Sequence, residues 1–146
     1  MFAASVEMRP LADNSGIVLF DSCLNQTLHD SEYEIIVVDD CSSDNSWEII
    51  SNYMIEEKNI RHSNPRIQLV KGIKHDVNRG VSAASNTGIK AACGRYVVRV
   101  DGDDYIDKNF LHSMTQVLDW NEDIGFVYCD HIVIEKDKTR HMVLNT

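Results

Sequence analysis

The stretch that most constrains the fold is Tyr33-Glu34-Ile35-Ile36-Val37-Val38-Asp39, reading YEIIVVD. Consecutive β-branched residues favour extended backbone, because a branched Cβ loses rotamers against a helical turn. Apolar and polar residues do not alternate along the run, so neither face is meant for water. Such a strand belongs inside a parallel sheet with helices on both faces.

Three further runs have this character: RIQLV at 66–70, RYVVRV at 95–100 and IGFVYC at 124–129. Helical spacing fills the gaps. From Ser15 to Leu28, apolar Ile17, Phe20, Leu24 and Leu28 recur at three- and four-residue steps. A second helix is expected from Ser43 or Asp44, either of which can cap it, burying Trp47, Ile50 and Met54. Residues 80–92, GVSAASNTGIKAA, carry small side chains that let a helix lie close to a sheet, and Gly94 suits its C-terminal cap. Asp107 can cap a helix presenting Phe110, Leu111, Met114, Val117 and Leu118.

Strand and helix alternating in steps of roughly 25 to 35 residues predict an α/β fold, a mostly parallel Rossmann-like sheet with right-handed crossovers. The first strand should precede Ser15, within ASVEMRPLADN, where Glu7, Arg9 and Pro10 weaken the pattern. One domain over residues 1–146 is expected, with the polar segment from about 135 to 146 loosely held.

With 23 acidic against 14 basic residues the net charge is -9, which opposes a nucleic-acid or anionic-membrane partner. An anionic substrate would need a metal or local donors. Cys23, Cys41, Cys93 and Cys129 include no Cys-x-x-Cys pair, so reduced thiols are expected rather than a zinc site or disulfide framework. The start MFAASVEMRP has no leader character, and no run nears the roughly 18 apolar residues of a membrane span. A cytoplasmic chain is expected, held at the inner face of a membrane only through a partner.

In open α/β sheets ligands bind beyond the carboxyl ends of the strands. Two strands end in acid there: VVDDCSSD with Asp39 and Asp40, and VRVDGDD with Asp101, Asp103 and Asp104. Like charges so close repel one another, and a divalent cation would cancel that repulsion. Oxygen-only donors suit Mg²⁺ or Mn²⁺, which share substrate phosphates, and Gly102 lets Asp101 and Asp103 turn toward one ligand. Aspartates after strands also form turns and helix caps, and for any one of them alone that reading stands beside the first.

Other chemistries lose their support. Counting from Asp101, Tyr105 and Ile106 occupy the ligand and glycine positions of a helix-loop-helix calcium site. Neither Gly-x-Gly-x-x-Gly nor a Gly-Lys-Ser/Thr phosphate loop occurs. The histidines form no His-x-x-x-His pair, and His75 and His112 are expected on the surface. No serine or cysteine nucleophile stands out.

CLNQTLHDSEYEIIVVDDCSSDNSWEII and NRGVSAASNTGIKAACGRYVVRVDGDDYI resemble the nucleotide-binding half of glycosyltransferase family 2 enzymes, which have the GT-A fold. The resemblance spans roughly residues 15–130. It rests on an ordered set: an Asn-Gln-Thr turn, a Val-Asp-Asp strand end, an Asn-x-Gly helix start at Asn78 and Gly80, and an Asp-x-Asp strand end.

It implies a metal-dependent transferase moving a sugar from a nucleotide-diphosphate donor to a hydroxyl of a carbohydrate or lipid-linked acceptor, as in polysaccharide biosynthesis. Asp40 would recognise the base, with Asp39 shaping the loop; Asp101 would contact the ribose or sugar, and Asp103 would hold Mg²⁺ or Mn²⁺ at the diphosphate. Asn78 and Gly80 would line the donor site. A homo-oligomer is compatible with this reading.

The chain departs from the family in places. VEMRPLADN replaces the family's Pro-Thr-Tyr-Asn-like loop, and Ala84-Ser85-Asn86 replaces Ala-Arg-Asn, removing a cation that could face the diphosphate. The general base of an inverting transfer has no candidate after Asp130, so the catalytic base and the acceptor half are expected outside this chain. Two alternatives stay open: a non-catalytic nucleotide-sugar-binding or assembly module, and a receiver-type phosphoacceptor domain. The latter would need a lysine at the end of IGFVYC, where Asp130 and His131 stand instead.

Overall fold

The computed structural model describes residues 2–8, 15–60, 70–135 and 138–142. Strands and helices alternate as β1 (Phe2–Met8), α1 (Ser15–Leu24), β2 (Tyr33–Asp39), α2 (Ser46–Ile60), β3 (Val70–Lys74), α3 (Val81–Ala91), β4 (Tyr96–Asp101) and α4 (Phe110–Trp120), followed by β5 (His131–Glu135) and β6 (Lys138–Met142). β1 to β4 form one parallel sheet in the order β3-β2-β1-β4. YEIIVVD is β2, an interior strand buried along its whole length.

The strand order dictates where the helices go. The chain steps outward from β1 to β2 to β3, then returns past β1 to β4. Right-handed crossovers in opposite directions put α1 and α2 on one face and α3 on the other. Ile36 and Val38 of β2 pack with Ala84, Ile73, Ala91 and Ala92 beneath α3. On the other face Gly72 lies under α2: a Cβ there would stand 2.9 Å from Met54 Sδ. The Gly72 N–H donates to that sulfur at 3.1 Å. Phe20 stacks on Tyr53 with ring centroids 4.7 Å apart, joining α1 to α2.

Several expectations shift. The weak first strand forms, as β1, between β2 and β4. α1 stops at Leu24, leaving Leu28 outside it, and the Ile17 side chain lies outside the described residues. α2 starts at Ser46, whose N–H donates to the Asp44 carboxylate at 3.0 Å. The strand expected at 66–70 is β3 at Val70–Lys74, and residues 61–69 lie outside the described set. Ala92 rather than Gly94 caps α3.

The chain divides into two compact units, Met1–His112 and Ser113–Thr146. In the second unit the strand expected at 124–129 is absent: the segment is irregular and Phe126 is 77% exposed. Apolar composition alone makes no strand, because extended backbone needs a partner for its N–H and C=O groups. The pairing falls further along, where β5 and β6 form an antiparallel ladder, so residues 138–142 of the segment expected to be loose are a strand.

Candidate functional site

Because β1 to β4 all run the same way, their carboxyl ends share one edge. Asp39 ends β2 opposite Met8 of β1 and Lys74 of β3. Asp101 ends β4 opposite Glu7 of β1. With β1 between them, β2 and β4 stand two strand spacings apart, roughly 10 Å. The two acidic strand ends therefore lie along the same edge of the first unit.

Asp39 is fully buried. Its Oδ1 accepts from Ser42 N at 2.9 Å, and its carbonyl accepts from His75 N at 2.9 Å. Among the described residues its Oδ2 has no hydrogen-bond partner. Lys74 Nζ, 3.9 Å from that oxygen, also sits 5.6 Å from the centre of the Trp47 ring. A buried carboxylate oxygen without a donor is costly, and a ligand N–H would satisfy it.

Asp40, also buried, has donors on both carboxylate oxygens. Oδ1 accepts from Arg79 N at 2.9 Å and from His75 Nδ1 at 2.6 Å, and Oδ2 accepts from Gly80 N at 2.6 Å. The acceptor-only carboxylate requires the proton on His75 Nδ1; His75 Nε2 in turn meets Thr87 Oγ1 of α3 at 2.9 Å. Burial opposes ionisation of Asp40, but the bonds from His75, Arg79 N and Gly80 N outweigh it, so the carboxyl titrates below its ordinary value.

Gly80 adopts φ 83°, left-handed backbone that a side chain disfavours, and thereby aims its N–H at Asp40 while starting α3. Asn78, just before this loop, is exposed. Cys41 also sits at positive φ, 62°, where the chain leaves the acidic pair. Its thiol donates to the Asp76 carbonyl at 3.6 Å.

At the other strand end a turn carries the Asp104 N–H back to the Asp101 carbonyl at 3.0 Å, with Gly102 buried inside it and Asp103 exposed. Arg99 donates through Nε to Asp101 Oδ1 at 2.8 Å and through Nη2 to the same oxygen. The Asn-Gln-Thr turn steadies the loop that leads from this strand end into α4. Gln26 Nε2 donates to the Asp107 carbonyl at 2.9 Å, Gln26 Oε1 accepts from Leu111 N at 3.1 Å, and Thr27 N donates to the Lys108 carbonyl at 2.8 Å. Ser22 Oγ accepts from Ile106 N at 3.2 Å.

His75, expected on the surface, is buried at 6% exposure because Asp40 and Thr87 enclose it; His112 is exposed as expected. Asp107 precedes α4 as a turn residue, its carboxylate accepting from Asn109 N at 2.8 Å. Sequence reasoning named Gln26 only within the Asn-Gln-Thr turn and missed Lys74, His75 and Arg99 as site residues. The one signal for Lys74 and His75 was their place at a strand end facing VVDD, and for Arg99 its two-residue spacing from Asp101. Among the described residues no group of three or more His, Cys, Asp or Glu side chains is gathered as a ready-made metal site. No helix among them is long and apolar enough to cross a membrane.

A model of the family Glycosyl transferase family 2 matches residues 18–146. The uncharacterized glycosyltransferase EpsJ of Bacillus subtilis (strain 168) is 40% identical over 122 residues, which are 84% of this chain and 31% of that protein. The crystal structure of S. aureus TarS 1-349 in complex with UDP-GlcNAc superposes with TM-score 0.66 and 29% identity, over 83% of this chain and 32% of that one. The mannosyltransferase PcManGT from Pyrobaculum calidifontis, in complex with GDP-Man and Mn²⁺, superposes with TM-score 0.66 and 21% identity, over 80% of this chain and 32% of that one, a likeness of fold. The first unit thus has the GT-A architecture, and the chain spans about a third of the length of these relatives.

Proposed function

The chain belongs to glycosyl transferase family 2, and from that membership we propose that it binds a nucleoside diphosphate sugar at the carboxyl edge of its parallel sheet and serves transfer of the sugar to an acceptor hydroxyl. The observation carrying this reading is the fully buried Asp39 with its unsatisfied Oδ2, at the edge shared with Asp101.

We assign the two neighbouring acids the other way round from the resemblance. Asp40 shapes the loop, since its carboxylate is already spent on Arg79, Gly80 and His75. Asp39 meets the base. A carboxylate only accepts, so Asp39 selects a base presenting a ring N–H, as uracil and guanine do. UDP-GlcNAc in the related TarS crystal structure fits that requirement.

Asp101 contacts a ribose or sugar hydroxyl through the oxygen that Arg99 leaves free. Asp103 holds the cation. Oxygen-only donors suit Mg²⁺ or Mn²⁺, ions that take one or two carboxylates and complete their shell with water and substrate phosphates. When bound, such a cation neutralises charge on the departing diphosphate. In the transfer the bond from the sugar's anomeric carbon to the diphosphate breaks, a bond from that carbon to the acceptor oxygen forms, and the hydroxyl proton passes to a base.

The test is thermal unfolding of the chain with UDP, GDP, ADP or dTDP, each with Mn²⁺ or with EDTA. Ligands binding only the folded state raise its melting temperature. A rise with UDP, GDP or dTDP, whose bases present a ring N–H, is expected in Mn²⁺ but not in EDTA, and none is expected with ADP. No shift with any nucleotide sinks the reading.

A further inference from the structure

Arg99 and Asp101 are two residues apart on β4, so strand alternation points both side chains to one face. The register aligns Arg99 with Ser5 and Ser5 with Ile36, and it aligns Asp101 with Glu7 and Glu7 with Val38. Ile36 and Val38 pack beneath α3, so the ion pair lies on the α3 face of the sheet. Within α3 the basic residue is Lys90 in the last turn, and Arg79 stands just before the helix with its backbone N–H on Asp40. Ser85, where the family resemblance has arginine, has a buried hydroxyl with no hydrogen-bond partner among the described residues.

Arg99 puts both of its bonds on the single oxygen Asp101 Oδ1. Among the described residues its remaining N–H groups have no partner, which leaves them for a ligand, and the side chain is 44% exposed. A half-exposed pair of this kind contributes little to stability. Its effect is on placement: it fixes a planar, always-charged donor fork at the end of a strand pointing to the ligand edge.

We propose that Arg99 is a substrate-binding residue for the donor's diphosphate, anchored by Asp101 and supplying from β4 the cation that α3 lacks at Ser85. This rests on the donor-site reading above. Asp101 serves as the anchor through one oxygen and keeps the other for the donor.

The test is calorimetric titration of the 146-residue chain with UDP and with UMP in Mn²⁺, for the wild type, R99Q and R99K. The wild type binds UDP more tightly than UMP. R99Q weakens UDP binding by roughly tenfold, the loss of charge-assisted hydrogen bonds, while UMP binding falls much less and the preference for UDP collapses. R99K, which keeps the charge but not the fork, restores part of it. Binding of Mn²⁺ alone, followed by its paramagnetic resonance, does not weaken in R99Q, because the cation is assigned to Asp103, which Arg99 does not touch.

An unchanged ratio of UMP to UDP affinity in R99Q overturns the proposal, as does equal weakening of both nucleotides. Wild-type chain that binds neither nucleotide overturns the donor-site reading instead. Should R99Q fail to fold, R99K decides the same ratio.

Discussion

Gln26 holds Asp107 across 81 positions of sequence: its Nε2 donates to the Asp107 carbonyl at 2.9 Å while its Oε1 accepts from Leu111 N at 3.1 Å. One amide side chain thereby ties the end of α1 to the loop beyond Asp101 and Asp103. Gln26→Ala leaves both backbone groups without that partner, a loss of about 1 to 3 kcal/mol. Urea unfolding measures the cost, and hydrogen exchange at the Leu111 amide should speed up in the variant. A full-stability variant with unchanged exchange would refute the tie.

Asp40 gives the molecule an acid limit. Its folded pKa lies below the unfolded value, which is near the ordinary 3.8, so the stability it contributes is complete above that value. As pH falls through the lowered folded pKa, the native state must take up a proton it resists, and the contribution disappears. Asp40→Asn should flatten the loss of stability on acidification below about pH 4, at the expense of lower stability at pH 7. Denaturant titrations at a series of pH values read both effects.

Cys41 occupies left-handed backbone at φ 62°, which costs a non-glycine residue roughly 1 to 2 kcal/mol. Cys41→Gly removes that strain and adds unfolded-chain entropy of up to about 1 kcal/mol, so it should be neutral or mildly stabilising. Cys41→Val keeps the strain and worsens it through β-branching. The two variants should separate in thermal melts, with valine the lower; the reverse order would contradict the backbone assignment.

The thiols should react in a set order. Burial pushes the Cys23 thiol up to about 11, partly offset by its hydrogen bond with Ser22, so little thiolate forms near neutrality. Cys93 and Cys129 are exposed and Cys41 is half-buried. A thiol reagent at pH 8 should label Cys93 and Cys129 first and Cys23 only as the protein unfolds, as peptide mapping by mass spectrometry would reveal.

The two strand ends should separate by ligand chemistry. Asp103→Ala should abolish the Mn²⁺ dependence of UDP binding while a uridine-level affinity remains, since one or two carboxylates dominate a cation shared with phosphates. Asp39→Asn replaces an acceptor-only group with a mixed one and should weaken uridine and UDP alike, by roughly tenfold. Equal sensitivity of uridine binding to both substitutions would remove the distinction.

Legibility followed burial. YEIIVVD matched β2 at both ends because a strand covered on both faces writes its whole length in apolar residues. β3 lies on the sheet edge and reads VKGIK, with lysines breaking the pattern, so a more apolar neighbour drew the assignment away. β1 carries Glu7, too polar for a central strand on pattern alone, yet pairing with β2 and β4 makes it one. At the site, sequence alone could not divide Asp39 from Asp40. Their difference arises because successive residues turn to opposite faces, and only Asp40 meets the start of α3. Partners brought by tertiary packing, such as His75 to Asp40 and Gln26 to Asp107, leave no local mark.

β1 also bears on how the chain is made. Its seven residues bond on one side to Tyr33–Asp39 and on the other to Tyr96–Asp101. On the ribosome, where N-terminal parts emerge first, one flank of β1 must wait for a partner nearly a hundred residues behind it. Such distant closure slows folding, and until it happens the nascent β1 edge is open to chaperones or to a neighbouring copy.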